Sequence, residues 1–305
     1  MKLFLQIFNR FKEILFIPKN LVNITKQSNN IIGLENKLEA INQKLNQLDI
    51  QSILQKLDTL THNQANEANI KSKASINSEL SELSSKIQEG FENHFLQLES
   101  LLFIYNSLPN LKFLPATKGW AGSPDFLAKI VELILKEKPL FVLEAGSGVS
   151  SVIIGLALKL NNYGKSISLE HDIHYANITK ENMVINELEI KSVVKHCPLI
   201  EYNNLEQKWK WYDINELNFT NKIDILIVDG PPRVTQELAR YPAIPILHEY
   251  FADRFSILLD DSKRDDEAII IQKWILFLET NNYKVRIENF KNYEKGMTIL
   301  QVYRS

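Results

Sequence analysis

Cysteine is nearly missing from this chain: Cys197 is its one thiol in 305 residues. A single thiol excludes an intramolecular disulfide framework and fits a reducing compartment, so a cytoplasmic location is expected. Net charge is also scarce. The 35 Lys and Arg against 37 Asp and Glu leave −2, which gives no electrostatic case for nucleic acid as a partner. No apolar run reaches the about 20 residues needed to span a bilayer. The nearest is residues 1–18, where Leu3, Phe4, Leu5, Ile7, Phe8, Phe11, Ile14, Leu15, Phe16 and Ile17 are mixed with Lys2, Arg10 and Lys12. No small-residue cleavage site follows, as a signal peptide would require. Two expectations stand for it: an amphipathic helix in peripheral contact with the inner face of a membrane, or packing of its apolar face on a partner helix or its own catalytic domain.

What is present is ordinary in bulk. Apolar residues make up 45% of a chain that is long for one domain and short for three. Abundant Lys, Asn and Ile fit an AT-rich bacterial genome. After a 1–30 segment the pattern changes. Ile31, Leu34, Leu38, Ile41, Leu45 and Leu48 step by three and four, which is a heptad seam. Ile53, Leu57 and Leu60 resume it after a slip near Ile50, and residues 62–75 are polar enough for it to fray. Ile76, Leu80, Leu83 and Ile87 restart it, and Phe91, Phe95, Leu98, Leu102 and Tyr105 continue in another phase. So thin a stripe leaves a lone helix marginal, so residues 31–105 are expected to form a coiled-coil arm that makes the protein a homo-oligomer. A helical hairpin folded on itself across the polar gap is the other reading.

From 106 to 305 the chain alternates strands and helices around one stretch. Leu140 to Leu143 is an apolar run like a strand buried on both faces, Glu144 stands at its carboxyl end, and Gly146 and Gly148 make the turn into a helix over Val149–Leu160. Open α/β sheets build a nucleotide crevice from such a strand, turn and helix. Ahead of it, Pro124–Lys136 reads as a helix with Ser123 as its N-cap. Strands follow at Ser166–Glu170, Ile190–His196, Lys222–Asp229 and Arg254–Asp260, with helices at Ile173–Leu188 and Asp265–Asn281. Thr235–Tyr250 reads as helical, interrupted by Pro242 and Pro245. Tyr283–Phe290 and Met297–Tyr303 lie too close in sequence for a crossover helix and must pair antiparallel.

Seven strands, mostly parallel with an antiparallel last hairpin, make residues 106–305 resemble the Rossmann-like class I S-adenosylmethionine (SAM)-dependent methyltransferases. The wording of Leu143–Ser151, Ser168–Asp172, Val228–Pro232 and Leu258–Arg264 is similar to a bacterial small-molecule methyltransferase group. That resemblance implies a transferase acting on a small-molecule or glycan-related acceptor. It implies cofactor contacts from Glu144, Gly146, Ser147, Gly148, Glu170, His171, Cys197 and Asp229. Glu170, 26 residues after Glu144, would hold the ribose hydroxyls, and Asp229 would face the methyl group. A carboxylate can accept both ribose hydroxyls in a charge-assisted pair. SAM has no pyrophosphate, so the third glycine of a dinucleotide fingerprint is dispensable. Ser151 stands there, which with the terminal hairpin disfavours a nicotinamide-dependent oxidoreductase.

Several residues keep two readings. Glu144 either holds the loop N–H groups or meets the cofactor's amino group. Cys197 is either a buried structural thiol or, with Pro198, an adenine contact, and Trp120 is either a cover for the cofactor or core. On the acceptor side Asp229, Asp260 and Asp261 are the catalytic candidates, at the ends of adjacent strands where such folds bind ligands. They are equally the candidate ligands for Mg²⁺, which prefers oxygen and would lower an acceptor hydroxyl's pKa. The Asp260-Asp261 pair departs from the Asp-Asn of metal-dependent O-methyltransferases. Without metal, Asp229 is a general base or a partner for the sulfonium. His171 and His248 are other candidate bases, and Arg233 and Arg264 either recognise an anionic substrate or neutralise the carboxylates. The carboxylate cluster favours O-methylation over N-methylation. The reading from another class is a non-catalytic scaffold, with the arm as its function and a vestigial crevice.

Overall fold

In the computed structural model of the chain, the described residues are 68–304 other than 118, 120, 204–206 and 218, with side chains described from 77 onward. Residues 1–18, the heptads between 31 and 60, and Trp120 therefore lie outside the described residues. The chain divides into two compact units, Met1–Glu82 and Leu83–Ser305.

Helix α1 spans Ala68–Ser107, so the polar tract thought to fray the seam is helical from Ala68 onward. Seam residues Leu83, Ile87 and Phe91 are 54%, 44% and 44% exposed. The buried side of the helix's last turns is a different stripe, Gln97, Ser100 and Ile104, continued by Leu108 just beyond the helix end. Gln97 clamps the start of α2 (Pro124–Glu137). Its Nε2 donates to Asp125 Oδ2 at 2.8 Å, and its Oε1 accepts from the Asp125 N–H at 3.2 Å. Ser123 does occupy the N-cap position, but its hydroxyl donates to Asp125 Oδ1 rather than capping a backbone N–H.

The remaining elements are β1 (Phe141–Ala145), α3 (Val149–Asn161), β2 (Lys165–Glu170), α4 (Ile173–Ile185), β3 (Ser192–His196), β4 (Leu199–Tyr202), β5 (Trp209–Tyr212), β6 (Ile223–Val228), α5 (Ala243–Leu247), β7 (Phe251–Asp260), α6 (Asp265–Thr280), β8 (Tyr283–Phe290) and β9 (Met297–Arg304). Seven strands form one sheet in the order β3-β2-β1-β6-β7-β9-β8. The β1, β2, β3, β6 and β7 pairings are parallel, and β9 pairs antiparallel with both β7 and β8. This is the expected Rossmann-like, mostly parallel sheet with an antiparallel terminal hairpin. The order reverses at β1, so the crevice opens above the ends of β1, β2 and β6.

Side chains alternate across the sheet. Val142, Ile225 and Ile227 pack with α2 and α3 on one face, while Leu143, Ala145, Leu226 and Val228 pack with Trp211 and Trp274 on the other. Each fully buried Val, Leu or Ile among them contributes roughly 1.5–3 kcal/mol. Two expectations need correction. The stretch Thr235–Tyr250 holds only the short α5 between 3₁₀ turns at Arg233–Thr235 and His248–Tyr250, because Pro242 and Pro245 restrict helix to a single turn. The β4–β5 hairpin, a separate two-stranded antiparallel sheet between β3 and β6, was not anticipated. No helix among the described residues is long and apolar enough to cross a membrane.

Candidate active site

The turn after β1 is built by backbone geometry. Gly146 has φ +117° and Gly148 φ +147°, values that residues with a Cβ rarely adopt. Nothing lies within 4 Å of where a Cβ on Gly148 would be, so that face of the turn is open. Ser151 gains a role here. Its hydroxyl accepts from the Gly148 N–H at 3.1 Å and donates to Glu144 Oε2 at 2.6 Å, tying the turn to the strand end.

Glu144 is fully buried, and its Oε1 has no hydrogen-bond partner among the described residues. Burial pushes its carboxyl up to about 7, against the pull of the Ser150, Ser151 and Ser168 hydroxyls. Glu170 is held differently. Its Oε2 accepts from Ser147 Oγ at 2.7 Å and its Oε1 from the Asp172 N–H at 3.0 Å. His171 Nδ1 lies 3.0 Å from Oε1, an ion-pair distance without the alignment of a hydrogen bond. Burial alone would raise Glu170, but His171, the Asp172 amide and Ser147 together outweigh it and hold the carboxyl below its usual range. The same contact raises His171. Asp172 instead caps α4, accepting from the His174 N–H at 2.8 Å and the Tyr175 N–H at 3.4 Å. Cys197 donates its backbone N–H to the Glu170 carbonyl at 2.7 Å, while its side chain is buried in the apolar cluster with Trp211. Burial first, and Asp213 second, push its thiol up to about 11, so it stays neutral.

Asp229, Asp260 and Asp261 do come together, with one oxygen of each within 4.8 Å of the others. Their organiser is a residue that no motif marks. Arg240, 4% exposed, donates to Asp261 Oδ2 at 2.6 Å, to Asp229 Oδ1 at 3.2 Å, and to the carbonyls of Asp229 and Asp260 at 2.9 Å each. Glu267 Oε1 lies 3.7 Å away, and Arg264 adds a contact to Asp261 at 2.8 Å. Its one sequence sign was isolation: no other Lys or Arg occurs between Arg233 and Arg254. Burial would lower the Arg240 pKa, but Asp229, Asp261, Glu267 and Asp260 raise it, so it stays charged. Burial pushes Asp229 up to about 6, against Arg240. Asp260 is pushed well above the usual range by burial and then by Asp229 and Asp261, and neither of its carboxyl oxygens has a hydrogen-bond partner among the described residues.

The other candidates separate. Arg264 joins the cluster, whereas Arg233 pairs with Asp266 at 3.0 Å on the surface. His248 precedes β7 and packs edge-on against Phe277 at 5.7 Å. The ten residues of β7 place it about 30 Å of strand length from Asp260, outside the crevice.

No family model matches this chain. No curated protein matches it in sequence either. Solved structures of similar fold include an O-methyltransferase from Bacillus cereus in complex with SAH (15% identity, 68% of this chain and 90% of that one, TM-score 0.46). Others are the O-methyltransferase TomG from Streptomyces achromogenes in complex with SAM (12%, 66% and 89%, TM-score 0.47) and an SAH-bound methyltransferase from Podospora anserina (12%, 69% and 88%, TM-score 0.44). At these identities and scores the reading of the site rests on its own geometry.

The crevice fits SAM on three counts: the open glycine turn, the orphaned Glu144 Oε1 beside it, and a fixed anion at the end of β2. For Mg²⁺ the donor set is right in kind, all oxygen, and Asp260 is free to ligate. Arg240 and Arg264, however, already neutralise Asp229 and Asp261.

Proposed function

We propose that this protein is a SAM-dependent methyltransferase acting on the hydroxyl of a small-molecule or glycan-related acceptor. The observation that carries the reading is Glu170, a buried carboxylate kept ionised at the end of β2, beside the open turn at Gly146 and Gly148. Bound there, SAM would supply an electrophilic methyl group on a positively charged sulfur. Glu170 would accept the two ribose hydroxyls, using lone pairs not engaged by Ser147 and the Asp172 amide. Glu144 Oε1 would accept from the ammonium of the methionine portion. Asp229, near neutrality in pKa and held by Arg240, would take the acceptor's proton as methyl transfer proceeds in line, with most of the rate coming from positioning and electrostatics.

Titration calorimetry of the full chain with SAM, SAH and NAD tests the reading. Micromolar binding of the first two and none of NAD supports it; a folded protein that binds none favours the scaffold reading. Asp229→Asn should keep SAM affinity and lower turnover about 10²–10³-fold, the usual scale of general-base removal. Loss of binding together with turnover would make Asp229 structural. In a second reading Mg²⁺ is held by Asp229, Asp260 and Asp261, supported by the two unbonded Asp260 oxygens. Turnover abolished by EDTA and restored by Mg²⁺ would favour it. We propose further that the heptad-bearing arm makes the protein a homo-oligomer, a reading the exposed Leu83, Ile87 and Phe91 support. We propose that the apolar face of residues 1–18 packs on protein, with peripheral membrane contact as the second reading.

A further inference from the structure

One buried polar group at the crevice has no assigned task. Tyr212 ends β5 in the aromatic hairpin, outside the main sheet, and is 1% exposed. Its carbonyl accepts from Tyr202 Oη at 2.8 Å, and its ring meets Trp211 edge-on at 5.0 Å, so the hairpin holds it firmly. The phenol runs along the crevice. Its ring faces His171 edge-on at 6.2 Å, next to Glu170. Its hydroxyl oxygen lies 2.2 Å from where a Cβ on Gly230 would sit, a point itself 3.3 Å from Gly146 Cα and 3.4 Å from the Ala145 carbonyl oxygen. It therefore bridges the ends of β2, β1 and β6, and Gly230 must lack a side chain to admit it.

No hydrogen bond to this hydroxyl is found among the described residues. The oxygen is not shut off from solvent, so its lone pairs face the open crevice and are available to a ligand there. The charges around it select the partner's sign. Glu144, Glu170, Asp229 and Arg240 are near enough to act on the phenol, and three of the four are carboxylates. A cationic group is favoured in such a field, and the oxygen lone pairs of a neutral phenol suit one.

We infer that Tyr212 contacts the sulfonium centre of the methyl donor and makes the crevice prefer the charged donor over its neutral product. This rests on the reading of the site given above. With the ribose held by Glu170 and the methionine portion by Gly146 and Glu144, the sulfur would fall between them, within reach of the Tyr212 hydroxyl. Only one member of the SAM and SAH pair carries the positive charge, so their affinity ratio reports this contact, whereas a packing role would affect both alike.

Calorimetry on full-length Tyr212→Phe, with SAM and SAH in parallel, is the test. The variant removes a hydroxyl bonded to no described residue, so its unfolding temperature should be no lower than that of wild type. SAM affinity should fall about tenfold and SAH affinity less than twofold. A second variant, Gly230→Ala, places a methyl where the hydroxyl sits and displaces it with the phenol intact. It should lower the SAM preference in the same direction. An unchanged SAM to SAH ratio in either folded variant overturns the inference while leaving the methyltransferase reading intact. Wild-type protein that binds neither ligand overturns that reading, and this inference with it.

Discussion

The two halves of the crevice hold their carboxylates by opposite means. Above β1 and β2, Glu144 and Glu170 are held mainly by serine hydroxyls and a backbone amide, neutral donors that leave lone pairs free, with His171 beside Glu170 as the one titratable partner. Above β6 and β7, Asp229 and Asp261 are held by a buried guanidinium, which also grips two carbonyls. Neutral donors fix an anion's position and leave it able to accept more bonds, which suits ligand binding. A full counter-charge holds several carboxylates together where they would otherwise repel, which suits proton transfer near neutral pH. The first half rests on several donors, Ser147, Ser151 and the Asp172 amide, whereas the second depends mainly on one side chain.

That contrast can be broken most severely at Arg240. Arg240→Met should leave Asp229 without its cation and Asp261 and Glu267 with Arg264 alone, at a cost of about 3–5 kcal/mol. For a protein of this size that lowers the unfolding temperature by roughly 10 °C, measurable by calorimetric scanning. On the neutral-donor side, Glu170→Ala should weaken SAM binding about 100-fold by removing two charge-assisted hydrogen bonds, with a smaller fall in unfolding temperature than Arg240→Met. Unchanged affinity by titration calorimetry would place the ribose elsewhere.

The smallest effect sharpens the comparison through pH. Glu144 and Asp229 are both raised on folding, to about 7 and about 6. Their contribution to stability is full below about pH 4, near their unfolded values, and is lost as pH rises through 6–7. Glu170 is shifted the other way, so its contribution is present above its unfolded value and lost as acid protonates it. Glu144→Gln should therefore flatten the fall in stability between pH 5 and 8, with a gain of about 1–2 kcal/mol at pH 8 by urea unfolding. A slope equal to that of wild type would contradict the shift in Glu144.

The sheet and the neutral-donor half were legible in the sequence because their signals are local. Apolar runs such as Leu140–Leu143 and Ile225–Val228 mark buried strands, and Gly146, Gly148 and Glu170 sit within a few residues of their strand ends. The observed β7 starts at Phe251 rather than Arg254, the ordinary imprecision of a strand edge. The β4–β5 hairpin escaped notice because its strands are four residues each and Trp-Lys-Trp alternates too briefly to stand out. Its stability comes from packing Trp209 and Trp211 against distant residues. Arg240 escaped because no spacing links it to Asp229 and Asp261, which only the fold brings near. The heptad stripe named apolar positions on α1, yet the face that docks carries Gln97 and Ser100, since the partner groups at Asp125 are polar.

Arg240 has a last consequence, for how the molecule can change over evolutionary time. By bonding to both the carbonyl and the carboxylate of Asp229, it closes residues 229–240 into a ring with a fixed base. The rim is exposed, with Val234 at 87%. For such a ring the entropy of closure grows only logarithmically, by about 0.6 kcal/mol per doubling of length. The rim at Val234 can therefore be lengthened, shortened or rewritten while the base keeps its geometry.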